Sequence, residues 1–176
     1  MERRDWTWVL LLVALVACGR DETRQTPFGS ESAVRDYRES LERIIQEVNE
    51  IDLGWRERAV GTSGQASGEN LAQVYDEFRP RLATAIADLD RIEVPRRLDA
   101  MHADLRQALV KQLEAFDLVI EGWRVEQEQS SDEAQLHYEE AEKSLSEAGQ
   151  LLASVNEVLV EVDIALAEAE GKNLVA

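Results

Sequence analysis

Apolar residues recur at alternating steps of three and four along most of the chain after residue 30, and this spacing constrains the fold most strongly. It spaces apolar side chains along one face of an α-helix, and the alternation by two that marks a strand is absent. The sequence therefore predicts an all-α body. The longest stripe comprises Tyr138, Ala141, Leu145, Ala148, Leu152, Val155, Leu159, Val162, Leu166 and Ala169.

Breaks in this spacing divide the body into four helical segments. The glycine- and serine-rich stretch 61–68 is a clear loop, and Ser130 has Glu133 three residues later, as in a capping box. Pro80 lies inside the second segment and predicts a kink or two shorter helices, and Pro95 is placed as the first residue of the third. Helices are expected over 31–58, 69–93, from Pro95 to about Trp123, and over 132–168.

Short connections between amphipathic helices favour antiparallel neighbours, so the expected architecture is an antiparallel up-down-up-down four-helix bundle. The fourth helix is longer than the others. It must bend, overhang the bundle or find a partner chain. Its heptad stripe is compatible with a coiled coil between two copies. Packing within one bundle explains the stripe at least as well, so a homo-oligomer is not favoured.

The N-terminus has the composition of an export signal. Arg3 and Arg4 precede an apolar run over 6–17, which Thr7 interrupts, and the chain turns polar at Gly19. A helix that spans a bilayer needs about 20 apolar residues, so this run is too short. A basic start, a short apolar core and small residues at its end are typical of a signal peptide that is removed.

The residues Leu15-Val16-Ala17-Cys18 resemble the lipobox of bacterial lipoproteins. The resemblance implies that Cys18 receives lipid, palmitate among the acyl chains, and that the signal peptide is cut before it. An ordinary secretory signal and an uncleaved anchor helix are the alternatives. The lipobox accounts best for the only cysteine of the chain. Because Gly19 rather than aspartate follows the cysteine, the resemblance implies the outer membrane, on its periplasmic side, if the source is Gram-negative.

Three segments follow from this interpretation: a signal peptide over 1–17, a lipidated cysteine and flexible tether over 18–29, and a helical bundle domain over 30–176. The tether is expected because residues 19–29 are polar, include Pro27 and Gly29, and have no apolar period. From Val94 to His102 and through the heptads that follow, the body resembles uncharacterised helical bacterial lipoproteins in a general way. That likeness implies no functional residues.

The formal net charge of −17 limits the partners of the chain. Removal of the signal peptide takes away two acidic and two basic side chains and leaves this charge unchanged. Such a surface repels phosphate backbones and anionic headgroups, which argues against nucleic acid and against membrane contact by charge. Contact with the membrane is expected through the lipid alone. With Cys18 lipidated, neither a disulfide nor a thiolate metal site can form.

No pattern of residues points to a reaction. His102 and His137 are preceded at three by Asp99 and Ala134, so neither belongs to the Glu-x-x-His motif of di-iron bundles. They also begin antiparallel helices at opposite ends, and His102 is expected at the edge of the core, bonded to a carbonyl or water. Haem-attachment, phosphate-loop and nucleophile-elbow motifs are absent. We expect no enzyme, no metal and no cofactor besides the lipid.

Aromatic residues converge at one end of the expected bundle. Trp55 lies late in the first helix, Trp123 late in the third and Tyr138 early in the fourth, at the end away from the tether. They are candidates for binding a partner, and sealing the end of the core is the alternative. The expected function is a lipid-anchored cell-envelope protein with a structural or protein-interaction module that contacts an envelope protein. The alternative is a lipoprotein that binds a cation or small ligand.

Overall fold

A computed structural model describes residues 24–60, 68–128 and 131–171, without the side chains of residues 59, 60 and 68–70. The described chain is almost entirely helical, which confirms the all-α prediction and its four helices. The predicted cap at Ser130, most of the 61–68 loop and the entire signal peptide lie outside these residues. The elements are β1 Gln25–Thr26, β2 Gly29–Ser30, α1 Glu31–Val60, α2 Gly68–Leu89, α3 Asp99–Glu128 and α4 Ser131–Ala169.

The structure corrects two details around the prolines. Helix α2 continues through Pro80 as a single helix, so it does not divide into two, while the alternative of a kink stays a prediction. Because Pro80 is exposed, water can satisfy the carbonyl that the missing N–H leaves unpaired. Pro95 does not begin α3, because a turn intervenes in which the N–H of Leu98 donates to the Pro95 carbonyl at 2.7 Å. Leu98 is fully buried, and α3 starts at the next residue.

The predicted tether is also wrong over residues 24–29, which form a two-stranded antiparallel hairpin with Ser30. The hydroxyl of Thr26 donates to the Gly29 carbonyl at 2.9 Å and accepts from the N–H of Phe28 at 3.2 Å. The sequence Thr-Pro-Phe-Gly has proline and glycine at the positions that a tight turn favours, and Gly29 adopts a φ of 147°. Residues 18–23 lie outside the described chain.

The hairpin is fixed to the end of the bundle where α1 begins and α4 ends. Arg24 donates to the Ala169 carbonyl at 2.7 Å, and Arg97, just before α3, donates to the Pro27 carbonyl. Phe28 packs against the core. The chain therefore enters the bundle at this end, which we call the hairpin end.

Ion pairs and hydrogen bonds show how neighbouring helices run. Between each two neighbours, the contacts at higher residue numbers in one helix meet lower residue numbers in the other, as antiparallel packing requires. The contacts that show this are Arg58–Glu77 and Arg81–Glu47 for α1 and α2, Arg79–Asp117 and Arg106–Asp90 for α2 and α3, Lys111–Glu147 and Tyr138–Glu126 for α3 and α4, and Arg35–Glu170 and Arg38–Asp163 for α4 and α1.

Helices α3 and α4 have the most extensive contact of any two helices described, and buried small residues recur on each of them at intervals of seven. The buried small residues are Ala108, Ala115 and Gly122 on α3 and Ala134, Ala141 and Ala148 on α4. A Cβ at Gly122 would lie only 3.1 Å from Cβ of His137 and 2.8 Å from Cε1 of Tyr138, so α4 comes close to α3 at this glycine. We call this contact the small-residue seam.

Helix α4 has 39 residues and α1 has 30, so the two cannot match in length. From the Arg38–Asp163 pair, equal rise in both helices places Val60 beside about residue 141. The first turns of α4 thus extend past α1 and are covered by α3, which corresponds to the overhang expected from the sequence. Leu145, predicted as a core residue, is 45% exposed, and Ser144 is buried in its place.

Candidate functional site

The three aromatic residues chosen from the sequence are held by packing at the end opposite the hairpin. The indole of Trp55 stacks on the Phe116 ring, with centroids 3.8 Å apart and an angle of 8° between the planes. Trp55 and Trp123 are half-buried against the core. They help to seal this end, while partner binding by them stays a prediction.

Tyr138 lies over Gly122, and its hydroxyl donates to Oε2 of Glu126 at 3.0 Å. Partial burial and then this carboxylate raise the pKa of Tyr138 to about 12. Its hydroxyl is therefore a structural donor that ties the start of α4 to the end of α3. It is not poised to lose a proton near neutral pH.

His102 lies at the edge of the core, as expected, and its described hydrogen-bond partner is a tyrosine hydroxyl instead of a carbonyl. Its Nδ1 is 3.1 Å from the hydroxyl of Tyr37, which is 2% exposed. Burial lowers the pKa of His102, although Asp90 and Asp99 act to raise it. Burial likewise raises the pKa of Tyr37, with Asp99 adding to the effect. Both groups are therefore held neutral near pH 7 in an internal hydrogen bond between α1 and α3.

His137, at the start of α4, lies at the opposite end from His102. Its Nδ1 is buried without a hydrogen-bond partner among the described residues, and its Cβ lies close to Gly122. Within the described part of the chain, no group of three or more His, Cys, Asp or Glu side chains could hold a metal ion. The expectation of no metal and no catalysis stays a prediction.

The carboxylate of Asp117 on α3 lies at the centre of a cluster of hydrogen bonds between α2 and α3. It accepts hydrogen bonds from the Tyr75 hydroxyl at 2.8 Å and from two nitrogens of Arg79 at 2.7 and 3.1 Å. Partial burial acts to raise the pKa of Asp117, but these donors outweigh it and lower the pKa. The cluster fastens α2 to α3.

A groove of about 990 Å³ opens between α1 and α2 and reaches the connection to α3; we call it the α1–α2 groove. Buried apolar side chains, among them Ile44 and Ala85, lie at its base. Its rim has both signs of charge, and most of its cations are paired, as in Arg81–Glu47 at 2.8 Å. Arg43 on the rim has no acidic partner among the described residues.

A second groove of about 580 Å³ lies between α1 and α4, and we call it the α1–α4 groove. Its apolar side chains include Leu53 and Val160, which are 58% and 51% exposed. The remaining residues that line it are Arg38, Glu42, Ile45, Gln46, Asn49, Glu50, Asn156, Leu159 and Asp163. Sequence reasoning missed this groove, because the core stripes do not show how far apart two neighbouring helices stand.

Comparison with protein-family models, curated proteins and solved structures finds no match to this chain. Among the described helices, none combines the length and apolarity that crossing a bilayer requires.

Proposed function

We propose that the protein is a lipid-anchored, non-enzymatic protein of the cell envelope whose helical bundle binds a protein partner. The anchor would be Cys18, and the support for it is the lipobox-like Leu15-Val16-Ala17-Cys18 at the end of a short apolar run. Two or more acyl chains hold a protein on a membrane stably, whereas one chain does so only marginally. A lipidated Cys18 would therefore serve as a lasting anchor.

The observation that carries the proposed interaction is the exposure of apolar side chains at the α1–α4 groove. The acidic surface of a chain with a net charge of −17 favours solubility. The exposure of Leu53 and Val160 to water adds neither solubility nor stability. Exposed apolar residues grouped within a charged rim are typical of protein contact sites. Single exposed leucines elsewhere, such as Leu136, need no such explanation.

The hairpin end supports an orientation for the anchored protein. Arg24 follows Cys18 by six positions in the sequence, which allows at most about 20 Å between lipid and bundle. Since Arg24 is bonded to Ala169 at the hairpin end, that end would lie near the membrane. The end with Trp55, Trp123 and Tyr138 would face away from it, with the α1–α4 groove along the side.

Site-specific photo-crosslinking in intact envelopes tests the interaction. A photoreactive phenylalanine derivative placed at Leu53 in the full chain should form a discrete adduct with another protein. The matched control is the same group at Leu136, which is equally exposed, at 60%, but lies outside the groove. An absence of adducts at Leu53, or equal adducts at both positions, would contradict the proposed interaction.

The α1–α2 groove favours a second candidate, the binding of a small, partly apolar ligand. Its apolar base and the unpaired Arg43 would suit an amphipathic carboxylate, for which decanoate is a usable probe. Saturating decanoate should raise the melting temperature of the full chain by linkage, and Arg43→Ala should reduce the rise. Arg96→Ala, which alters an exposed arginine outside the groove, is the control. An unchanged melt with saturating decanoate would contradict this candidate.

A further inference from the structure

Six residues of α4 form an exposed row without charge, which we call the uncharged row. They follow one another at steps of three or four and so share one side of the helix. The row covers about 29 Å at a rise of 1.5 Å per residue. Its members are Leu145, Gly149, Ala153, Asn156, Val160 and Ile164, all exposed.

The uncharged row stands out against the composition of α4. This helix has ten acidic side chains and a single lysine, Lys143, yet none of these charges falls in the row. Gly149 has open space around the position of a Cβ, so the middle of the row is shallow and free of neighbouring atoms. A second backbone could approach closely there.

The row continues into the α1–α4 groove. Asn156 and Val160 belong to both, and Ile45 and Leu53 of α1 form the opposite wall. Ion pairs join α1 to the end of α4 at Arg35 and Arg38, which lie in the first third of α1. Further along, α1 is closest to α2, where a Cβ at Gly54 would lie 2.5 Å from Phe78. The seam between α1 and α4 is therefore open over its later part.

An open seam between two antiparallel helices, with an apolar base and charged edges, has the shape that binds a third helix. The charge decides which helix. A second copy of this chain would bring another α4, with its ten acidic side chains, against the first, and like charges in close contact oppose binding. A helix with lysine or arginine beside its apolar face would instead meet complementary charge, including Glu42 and Glu157.

We infer that the α1–α4 groove and the uncharged row together bind a cationic amphipathic helix of a partner protein. The inference rests on the proposed function, since it names the chemistry of the partner that the bundle would bind. Leu53, Leu145 and Val160 supply the apolar contacts, and the surrounding carboxylates orient the cationic flanks. A helix of about 20 residues matches the length of the row.

The test measures the affinity of an 18-residue helical peptide for the full chain in nanodiscs of zwitterionic lipid. The peptide has leucine on one face and lysine on the other. The signal from empty nanodiscs is subtracted. Val160→Glu should weaken binding about tenfold, because burial of a valine side chain stabilises a contact by at least that factor. Leu136→Glu adds the same charge to α4 outside the groove and should leave affinity unchanged or slightly increased. A Leu/Glu peptide of the same length should not bind.

Attraction by net charge alone would make Val160→Glu bind the cationic peptide more tightly, and that result would overturn the inference. Sedimentation of the full chain in nanodiscs should show monomers. A dimer that Val160→Glu dissociates would also overturn it, because the occupant would then be a second copy.

Photo-crosslinking at Leu53 separates failure of this inference from failure of the proposed function. An adduct whose partner segment is not a cationic helix overturns the inference and leaves the proposed function standing. Absence of any adduct contradicts the proposed function, on which the inference depends.

Discussion

Two glycines in the interior of helices act in opposite ways on the packing of this bundle. At Gly54, a Cβ would lie 2.5 Å from Cζ of Phe78, and Phe78 is itself 3% exposed and cannot move aside. At Gly149, no atom lies within 4 Å of the Cβ position. The first glycine permits α1 and α2 to approach, whereas the second only weakens its own helix.

Substitution of each glycine by alanine should therefore change stability in opposite directions. Gly54→Ala should lower the free energy of unfolding by about 1–3 kcal/mol through overpacking. Gly149→Ala should raise it by about 0.5–1 kcal/mol through helix propensity. Urea denaturation measures both. If Gly54→Ala were as stable as Gly149→Ala, α1 and α2 would not be in the close contact described.

The hydrogen bond between Tyr37 and His102 predicts a specific dependence of stability on pH. Burial lowers the pKa of His102 in the folded chain, whereas an imidazole in the unfolded chain titrates near its ordinary value of about 6.5. The unfolded chain thus binds the proton more readily. The contribution of His102 to stability is complete above about pH 6.5 and is lost as the pH falls below it.

Melting temperatures recorded from about pH 8 to about pH 5.5 check this, since few carboxylates titrate in that range. His102→Gln keeps a hydrogen-bonding side chain but cannot titrate, so its melting temperature should fall less over the range than that of the unaltered chain. Parallel curves for the two proteins would show that protonation of His102 does not oppose folding.

Sequence reasoning at the residue scale succeeded where a local pattern sufficed. It placed His102 at the edge of the core, but it missed Tyr37, which is 65 residues away in the chain. It put Leu145 in the core because the stripe of α4 is apolar there. The stripe shows which side is apolar, but not whether a neighbouring helix covers it.

At the scale of elements, the sequence predicted α4 to within one residue at each end, because its stripe is long and regular. It missed the start of α3 and the 24–30 hairpin, which depend on tertiary contacts. Leu98 is buried by the rest of the bundle, and the hairpin is fixed by Arg24 and Arg97. The small-residue seam was not predicted either, since alanine packs equally well in many environments.

The small-residue seam predicts that volume, and not apolarity, limits what α4 accepts. Ala148 is 3% exposed in the seam, so Ala148→Leu should cost about 1–3 kcal/mol by forcing α3 and α4 apart. Ala153→Leu in the uncharged row should change stability by no more than about 0.5 kcal/mol. Chemical denaturation distinguishes the two, and equal stabilities would contradict the close approach of α3 and α4.

At the scale of the whole molecule, charge, anchor and grooves are consistent with one function. A net charge of −17 opposes contact with anionic headgroups, so the proposed place on a membrane would require the proposed lipid. The hairpin joins the chain to one end of the bundle and leaves the α1–α4 groove open along its side. An acidic helical bundle anchored in this way would offer that groove to cationic partners in the envelope.

The proposed orientation and envelope location both follow from the proposed lipid at Cys18. Mass spectrometry of the protein isolated from its native membrane tests this directly. We predict an N-terminus at Cys18 with the added mass of a diacylglyceryl group, with or without a further acyl chain. An unmodified Cys18, or a mature chain that begins at another residue, would contradict the account.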